Sequence, residues 1–253
     1  MAWFEHGASR IYYEEEGSGD PLLLIPGITL SIEDLQAIRQ ALTPRYRVIA
    51  ADPPGSGRSG PQPREYTASY YQDDSRAFLA LLDELRASPA HIVGFSDGGE
   101  YALLMAELQP TAVRSIVAWG AAGKAAAPRE FLKAFGQVVD NPIPALQEFS
   151  NYLKGTYGEE NARIMTQSAA KALGAIIDAG GDISRKRAGE IACPALLITG
   201  EQDSMFAPPA VVSEMAGAMQ HAEFIEAKGA GHLVHHDSPD WLAKTIVDWL
   251  AER

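Results

Sequence analysis

Only one cysteine, Cys193, occurs in the 253 residues, so no disulfide can close within the chain and no spaced cysteine set offers a structural zinc site. No apolar run approaches the length of a membrane span, and the opening MAWFEHGASR lacks the apolar core of a secretory signal. Positive charge is scarce as well. Lys and Arg number 21 against 33 Asp and Glu, a net charge of −12, which argues against nucleic acid and anionic membrane surfaces, because both need clustered cations. The one basic cluster, Arg185-Lys186-Arg187, reads as a solvated patch. Low-complexity tracts and repeats of solenoid period are absent. These exclusions leave a soluble protein, expected in the cytoplasm, that handles a small molecule. With 46% hydrophobic residues the chain can bury the core of one domain with an insertion.

Short β-rich runs alternate with helical stretches, the pattern of a largely parallel sheet with helices on both faces. Eight strands are expected: Trp3 to His6, Ile11 to Glu15, Leu22 to Ile25, Arg47 to Ala51, His91 to Phe95, Val113 to Trp119, Ala195 to Thr199 and Ala222 to Ala227. Helices are expected near 32–42, 67–87, 98–109, 209–219 and 239–251. The first two strands leave no room for a crossover and should pair antiparallel. One stretch breaks the rhythm. Between Ala122 and Cys193 several amphipathic segments replace a short connection, so 122–193 is expected to be an inserted helical cap on a core made of 1–121 and 194–253.

HIVGFSDGGEYALLMAEL, residues 91–108, sets Ser96 among Gly94, Gly98 and Gly99, between an apolar strand and an all-round apolar helix. Glycines there permit a forced turn that lifts one hydroxyl above the carboxyl edge of the sheet. A serine hydroxyl is a poor nucleophile by itself, so a base and an orienting acid must reach the same edge. His221 precedes the strand AEFIEA and belongs at the other end of the sheet. His232 follows that strand, in KGAGHLVHHDSP, and is the expected base, with His235 and His236 in supporting or surface positions. Asp203 follows ALLITG and reaches the same edge, whereas Asp140, Asp178 and Asp182 lie in the expected cap. The chain order Ser96, Asp203, His232 is that of one of the three well-known serine-hydrolase arrangements.

From about Leu22 onward the chain resembles the α/β-hydrolase fold serine hydrolases. The matching stretches are LLLIPG at 22–27 with Ile28, DPPGSGRS at 52–59, GFSDGG at 94–99, GEQD at 200–203 and GAGHLVHHDSP at 229–239. The elbow GFSDGG and the strand VAWGA look most like the branch of valacyclovir hydrolase and biphenyl hydrolase-like proteins, which cleave α-amino-acid esters. The resemblance implies an α/β-hydrolase fold with a mostly parallel eight-stranded sheet and an inserted cap. It implies an acyl-enzyme ester hydrolase with catalytic Ser96, Asp203 and His232, and an oxyanion hole from the backbone N–H groups of Ile28 and Asp97. Pro26-Gly27 stands where the commoner pattern has His-Gly, so any role of that histidine is missing.

Asp97 beside the nucleophile has two readings: it accepts hydrogen bonds from neighbouring helical groups, or, as the resemblance implies, it faces the pocket and pairs with a substrate ammonium. Side chains emerging at the same edge, Thr29, Phe95, Trp119, Met205, Phe206 and Leu233 together with Ile28, are expected to line the pocket. No cofactor and no metal are expected, since the GSG runs lack phosphate-loop spacing and His235-His236-Asp237 is consecutive. A dehalogenase would need an aspartate at 96. Lactone, thioester and carbon–carbon bond hydrolysis, cofactor-free haloperoxidation and a non-catalytic receptor all remain open to the same residues.

Overall fold

Runs such as LLLI and HIVGF can be apolar at every position only if both faces of their strands are covered. The computed structural model, which describes residues 2–253, has this arrangement. One sheet holds β1 (Ala2–His6), β2 (Ser9–Glu16), β3 (Asp20–Ile25), β4 (Tyr46–Ala51), β5 (Ala90–Phe95), β6 (Val113–Trp119), β7 (Ala195–Gly200) and β8 (Ala222–Ala227). Their order is β1-β2-β4-β3-β5-β6-β7-β8. β2 pairs antiparallel with both β1 and β4, and every other pairing is parallel. All eight expected strands are present, and the fold is that of the α/β hydrolases.

Side-chain alternation divides the core in two. Leu22 and Leu24 join α1 (Gln36–Leu42) and α9 (Pro239–Leu250) on one face. Leu23 and Ile25 join α2 (Tyr70–Glu84), α3 (Asp97–Leu108) and α7 (Pro209–Ala218) on the other. A 3-10 turn, Ile32–Leu35, begins the helix expected from residue 32. Between β6 and β7 run α4 (Arg129–Gly136), α5 (Gln147–Tyr157) and α6 (Glu159–Asp178). A four-residue helix, α8 (Val234–Asp237), was not expected from the sequence. Among the described residues no helix is long and apolar enough to cross a membrane.

Hydrogen bonds tie α5 and α6 to the loops they overlie. The Tyr157 hydroxyl donates to the Thr29 carbonyl at 2.6 Å and accepts the Gly57 N–H at 2.8 Å. Ser168 Oγ accepts the Tyr66 N–H at 3.1 Å. The helices therefore sit over the carboxyl edge where β3 and β4 end.

The approach of α3 to β5 depends on Gly94, because a Cβ there would lie 2.2 Å from the Gly98 carbonyl oxygen and 2.6 Å from the Gly99 nitrogen. Backbone cannot yield cheaply to such a clash. Gly94→Ala is expected to cost about 1–3 kcal/mol or more, lowering Tm by roughly 2–12 °C for a domain of this size. Gly217→Ala, where an added Cβ meets nothing within 4 Å, should melt no lower than wild type. Calorimetric or circular-dichroism melts check both, and equal Tm values for wild type and Gly94→Ala would contradict the packing argument.

Candidate active site

Ser96 joins β5 to α3 at φ 52° and ψ −116°. For a residue with a Cβ this is strained backbone, of a kind that surrounding structure must hold in place. Its N–H donates to the Trp119 carbonyl at 2.8 Å, and its carbonyl accepts the Glu100 N–H at 3.0 Å. The hydroxyl is thereby fixed above the sheet edge.

β7 and β8 deliver the other two groups from two and three strands away. Neighbouring strands are about 4.8 Å apart, so the loop after β8 must reach back across β6 to meet Ser96. It does so over a glycine: at Gly120, just past β6, a Cβ would lie 2.8 Å from His232 Cε1. His232 Nε2 lies 3.1 Å from Ser96 Oγ, and His232 Nδ1 lies 2.7 Å from Asp203 Oδ2. Asp203 also accepts the N–H groups of Met205 at 3.3 Å, Phe206 at 3.1 Å and Ala207 at 3.3 Å. Burial pushes the Asp203 carboxyl up, but its hydrogen bond and charge interaction with His232, helped by the Phe206 and Ala207 N–H groups, outweigh this and hold it below the usual range. Phe95 and Phe206 pack on the His232 ring, with centroids 5.1 and 4.4 Å away.

A cavity of about 640 Å³ opens over Ser96 and His232. Ile28, Phe95, Phe206 and Leu233 border it, as does Asp97. Thr29, Trp119 and Met205 do not, contrary to expectation. Thr29 takes φ 59°, its hydroxyl donates to the Ile28 carbonyl at 2.6 Å, and it is buried beneath Tyr157. Trp119 lies fully in the core on the face of α1 and α9. Met205 is 37% exposed, and Phe206 takes the inward place beside it. Phe131, Phe135, Phe149 and Tyr152 complete the wall from α4 and α5.

Ile28 borders the same space. A Cβ on the preceding Gly27 would sit 3.3 Å from Ser96 Cβ, which places the turn after β3 directly against the Ser96 turn. The Asp97 N–H is the first of α3, where helical N–H groups have no partner within the helix. Both carboxylate oxygens of Asp97 accept phenol hydroxyls of α2, Oδ1 from Tyr71 at 2.8 Å and Oδ2 from Tyr70 at 2.9 Å. Burial pushes this carboxyl up to about 6 against the lowering effect of those two bonds. Glu100 also borders the cavity and was missed. An acid inside the apolar helix DGGEYALLMAEL was the available signal.

Asp34, His235 and His236 bring three potential ligand atoms within 4.8 Å of one another. Their protonation does not suit a metal. The Trp119 indole N–H can only donate, and it donates to His235 Nδ1 at 3.1 Å. The proton of the neutral ring therefore sits on Nε2, which donates to Asp34 Oδ2 at 2.9 Å. Ligation through Nε2 would require the proton on Nδ1, facing the indole N–H. Burial holds the His235 ring below its usual range despite the raising effect of Asp34, which keeps it neutral.

The family model described as "Alpha/beta hydrolase family" matches residues 22–245. The chain is 26% identical to the serine hydrolase BPHL of Homo sapiens, over 89% of this chain and 74% of that protein. It is 25% identical to haloalkane dehalogenase 2 of Mycobacterium tuberculosis, over 97% of this chain and 93% of that protein. A putative lipase (lip1) from Acinetobacter baumannii superposes with a TM-score of 0.82 at 23% identity, over 99% of this chain and 90% of that one, a likeness of fold.

Nitrogen-15 NMR of the histidine rings tests the donor argument. His235 is expected as the Nε2–H tautomer, titrating below about 6.5, with signals that Zn²⁺ does not move. An Nδ1–H tautomer, or a zinc-shifted His235, would contradict it.

Proposed function

The chain belongs to the alpha/beta hydrolase family, and on that premise we propose that it is a serine hydrolase that cleaves small carboxylic esters, α-amino-acid esters among them, through an acyl-enzyme. The observation that carries this reading is the continuous contact from Ser96 Oγ to His232 Nε2 and from His232 Nδ1 to Asp203 Oδ2, at 3.1 and 2.7 Å. The hydroxyl donates to Nε2, and the Nδ1 proton is held by an acid that its own hydrogen bonds keep ionised.

In the proposed reaction Ser96 Oγ bonds to the ester carbonyl carbon while its proton passes to His232 Nε2 and the carbonyl π pair moves to oxygen. The backbone N–H groups of Ile28 and Asp97 receive that oxyanion. Collapse breaks the carbon–alkoxy bond, and the leaving alcohol takes the proton back from His232. Water then attacks the acyl carbon and gives its proton to His232, and as the bond to Ser96 Oγ breaks, His232 returns that proton to the serine oxygen with release of the acid.

Residues 122–193 act as the cap, with Phe131 and Phe135 of α4 and Phe149 of α5 enclosing the apolar part of the substrate. The largely apolar wall and the cavity volume fit a small ester. A serine at 96 speaks against the displacement chemistry of a dehalogenase, which uses a carboxylate there.

A fluorophosphonate probe is expected to label Ser96, and Ser96→Ala should lose on the order of 10⁶ in kcat toward a p-nitrophenyl short-chain ester. His232→Gln should be similarly inactive, while His221→Gln, ahead of β8 at the other end of the sheet, should keep wild-type turnover. Activity retained in Ser96→Ala would remove the proposal. A wild type that binds esters but is neither labelled nor active would make the chain a receptor.

A further inference from the structure

Ser96 is not the only strained residue at this edge of the sheet. In the turn after β3 the Leu30 N–H donates to the Gly27 carbonyl at 3.1 Å, so Ile28 and Thr29 are the two central residues of a four-residue turn. Thr29, the second of them, is buried and has φ 59°. Positive φ at that position ordinarily calls for Gly or Asn, and a β-branched residue keeps it only where neighbours hold it there. The turn so strained carries Ile28 and lies against Ser96, with a Gly27 Cβ 3.3 Å from Ser96 Cβ.

The neighbours that hold it belong to α5. The Tyr157 hydroxyl donates to the Thr29 carbonyl at 2.6 Å, and the Tyr152 hydroxyl donates to the same oxygen at 3.3 Å. A phenol has one proton, and Tyr157 also accepts the Gly57 N–H at 2.8 Å, so its proton is directed to Thr29. Burial, reinforced by Tyr152, pushes the Tyr157 phenol well above its usual value, which keeps that proton in place. Gly57 is itself fixed. A Cβ there would lie 2.2 Å from Asp52 Oδ2, and the Asp52 carboxyl group accepts the N–H groups of Ile32 at 2.7 Å and Arg58 at 2.8 Å. Tyr157 therefore joins a rigid turn after β4 to a strained one after β3. Fastening the helices alone would not need this target, because Ser168 of α6 already bonds the Tyr66 N–H at 3.1 Å and the Arg64 carbonyl at 3.3 Å. Relaxation of Thr29 to negative φ would rotate the peptides on either side of it, break the Leu30 bond to Gly27 and shift Ile28 relative to Ser96.

We propose that Tyr157 is a positioning residue: by holding the Thr29 carbonyl it keeps the Gly27–Leu30 turn in its strained form and the Ile28 N–H in place for the oxyanion formed at Ser96. The assignment rests on the reading of Ser96 as nucleophile and of the Ile28 N–H as oxyanion donor. It gives α5 a part in the chemical step besides enclosing substrate, since α5 sets a donor that it does not itself contain.

A double-mutant cycle in kcat/KM for p-nitrophenyl acetate tests this, with Tyr157→Phe, Thr29→Gly and the two combined. Phe keeps the ring and removes only the hydroxyl, while Gly takes positive φ without strain and needs nothing to hold it. In the wild-type background Tyr157→Phe is expected to lose about 10- to 100-fold, less than the roughly 10²–10³ of an oxyanion donor deleted outright. In the Thr29→Gly background the same substitution should cost no more than about twofold. A residue that merely fastened α5 would cost the same factor in both backgrounds, so an equal loss in the two overturns the assignment, as does full activity in Tyr157→Phe. Should Tyr157→Phe not fold, Tyr152→Phe removes the longer bond to the same carbonyl and leaves Gly57 paired. A loss there that Thr29→Gly cancels supports the assignment, and a loss that persists, or none, overturns it. Hydrogen exchange at the Leu30 amide reads the turn without turnover: protection should fall in Tyr157→Phe and return when Thr29→Gly is added. If wild type does not hydrolyse the ester, the reading of Ser96 fails by itself, and Leu30 protection unchanged by Tyr157→Phe is the result that overturns the hold of Tyr157 on the turn.

Discussion

The positive φ of Ser96 is the constraint on which the rest of the site depends. Holding a residue with a side chain in such a conformation costs about 1–3 kcal/mol, and neighbouring structure must supply it. The Ser96 N–H bond to the Trp119 carbonyl anchors the turn to β6, and Glu100 N–H to Ser96 carbonyl starts α3 immediately behind it. Gly94 and Gly98 let the helix come close enough for both bonds to form. At Gly98 a Cβ would lie 2.2 Å from the Ile25 carbonyl oxygen, so β3 and the turn bearing Ile28 close on the same point. One local strain thus sets the hydroxyl, the unpaired N–H of Asp97 and the position of the opposing loop.

Sheet order determines what can meet that hydroxyl. β6 lies between β5 and β7, and β8 lies beyond β7, so Asp203 and His232 come from the far side of a strand that contributes none of the three groups. Gly120 at the end of β6 leaves the gap through which the His232 ring passes, and Phe95 and Phe206 grip that ring from its neighbours. Asp203, buried and fed by three backbone N–H groups as well as by His232, holds the His232 ring at its distance from Ser96. Below these groups Tyr70 and Tyr71 tie α2 to Asp97. Tyr157 likewise ties α5 to the Thr29 carbonyl.

Period-two and all-apolar runs made the strands legible, and parallel connection made the edge legible, because a residue directly after a parallel strand can only be at its carboxyl end. That logic brought Ser96, Asp203 and His232 together and set His221 apart. It could not say where a side chain turns within a loop. Thr29 bends under Tyr157 because its φ is positive, and Met205 and Phe206 divide outward and inward according to the turn around Asp203, neither of which a composition pattern encodes. Trp119 was placed by edge position, while the pleat sends it into the core against His235. Asp97 illustrates the same limit: its partners, Tyr70 and Tyr71, are 27 and 26 residues away on a separate helix.

An acyl-enzyme reaction requires that the Ser96 oxygen carry an acyl group during turnover. Rapid-quench intact-mass and peptide mass spectrometry with p-nitrophenyl acetate measures this. The expected result is a single acetyl group on the peptide containing Ser96, formed with the burst of nitrophenol and decaying at the steady-state rate. Turnover at full rate with no adduct, or an adduct confined to another residue, would contradict it.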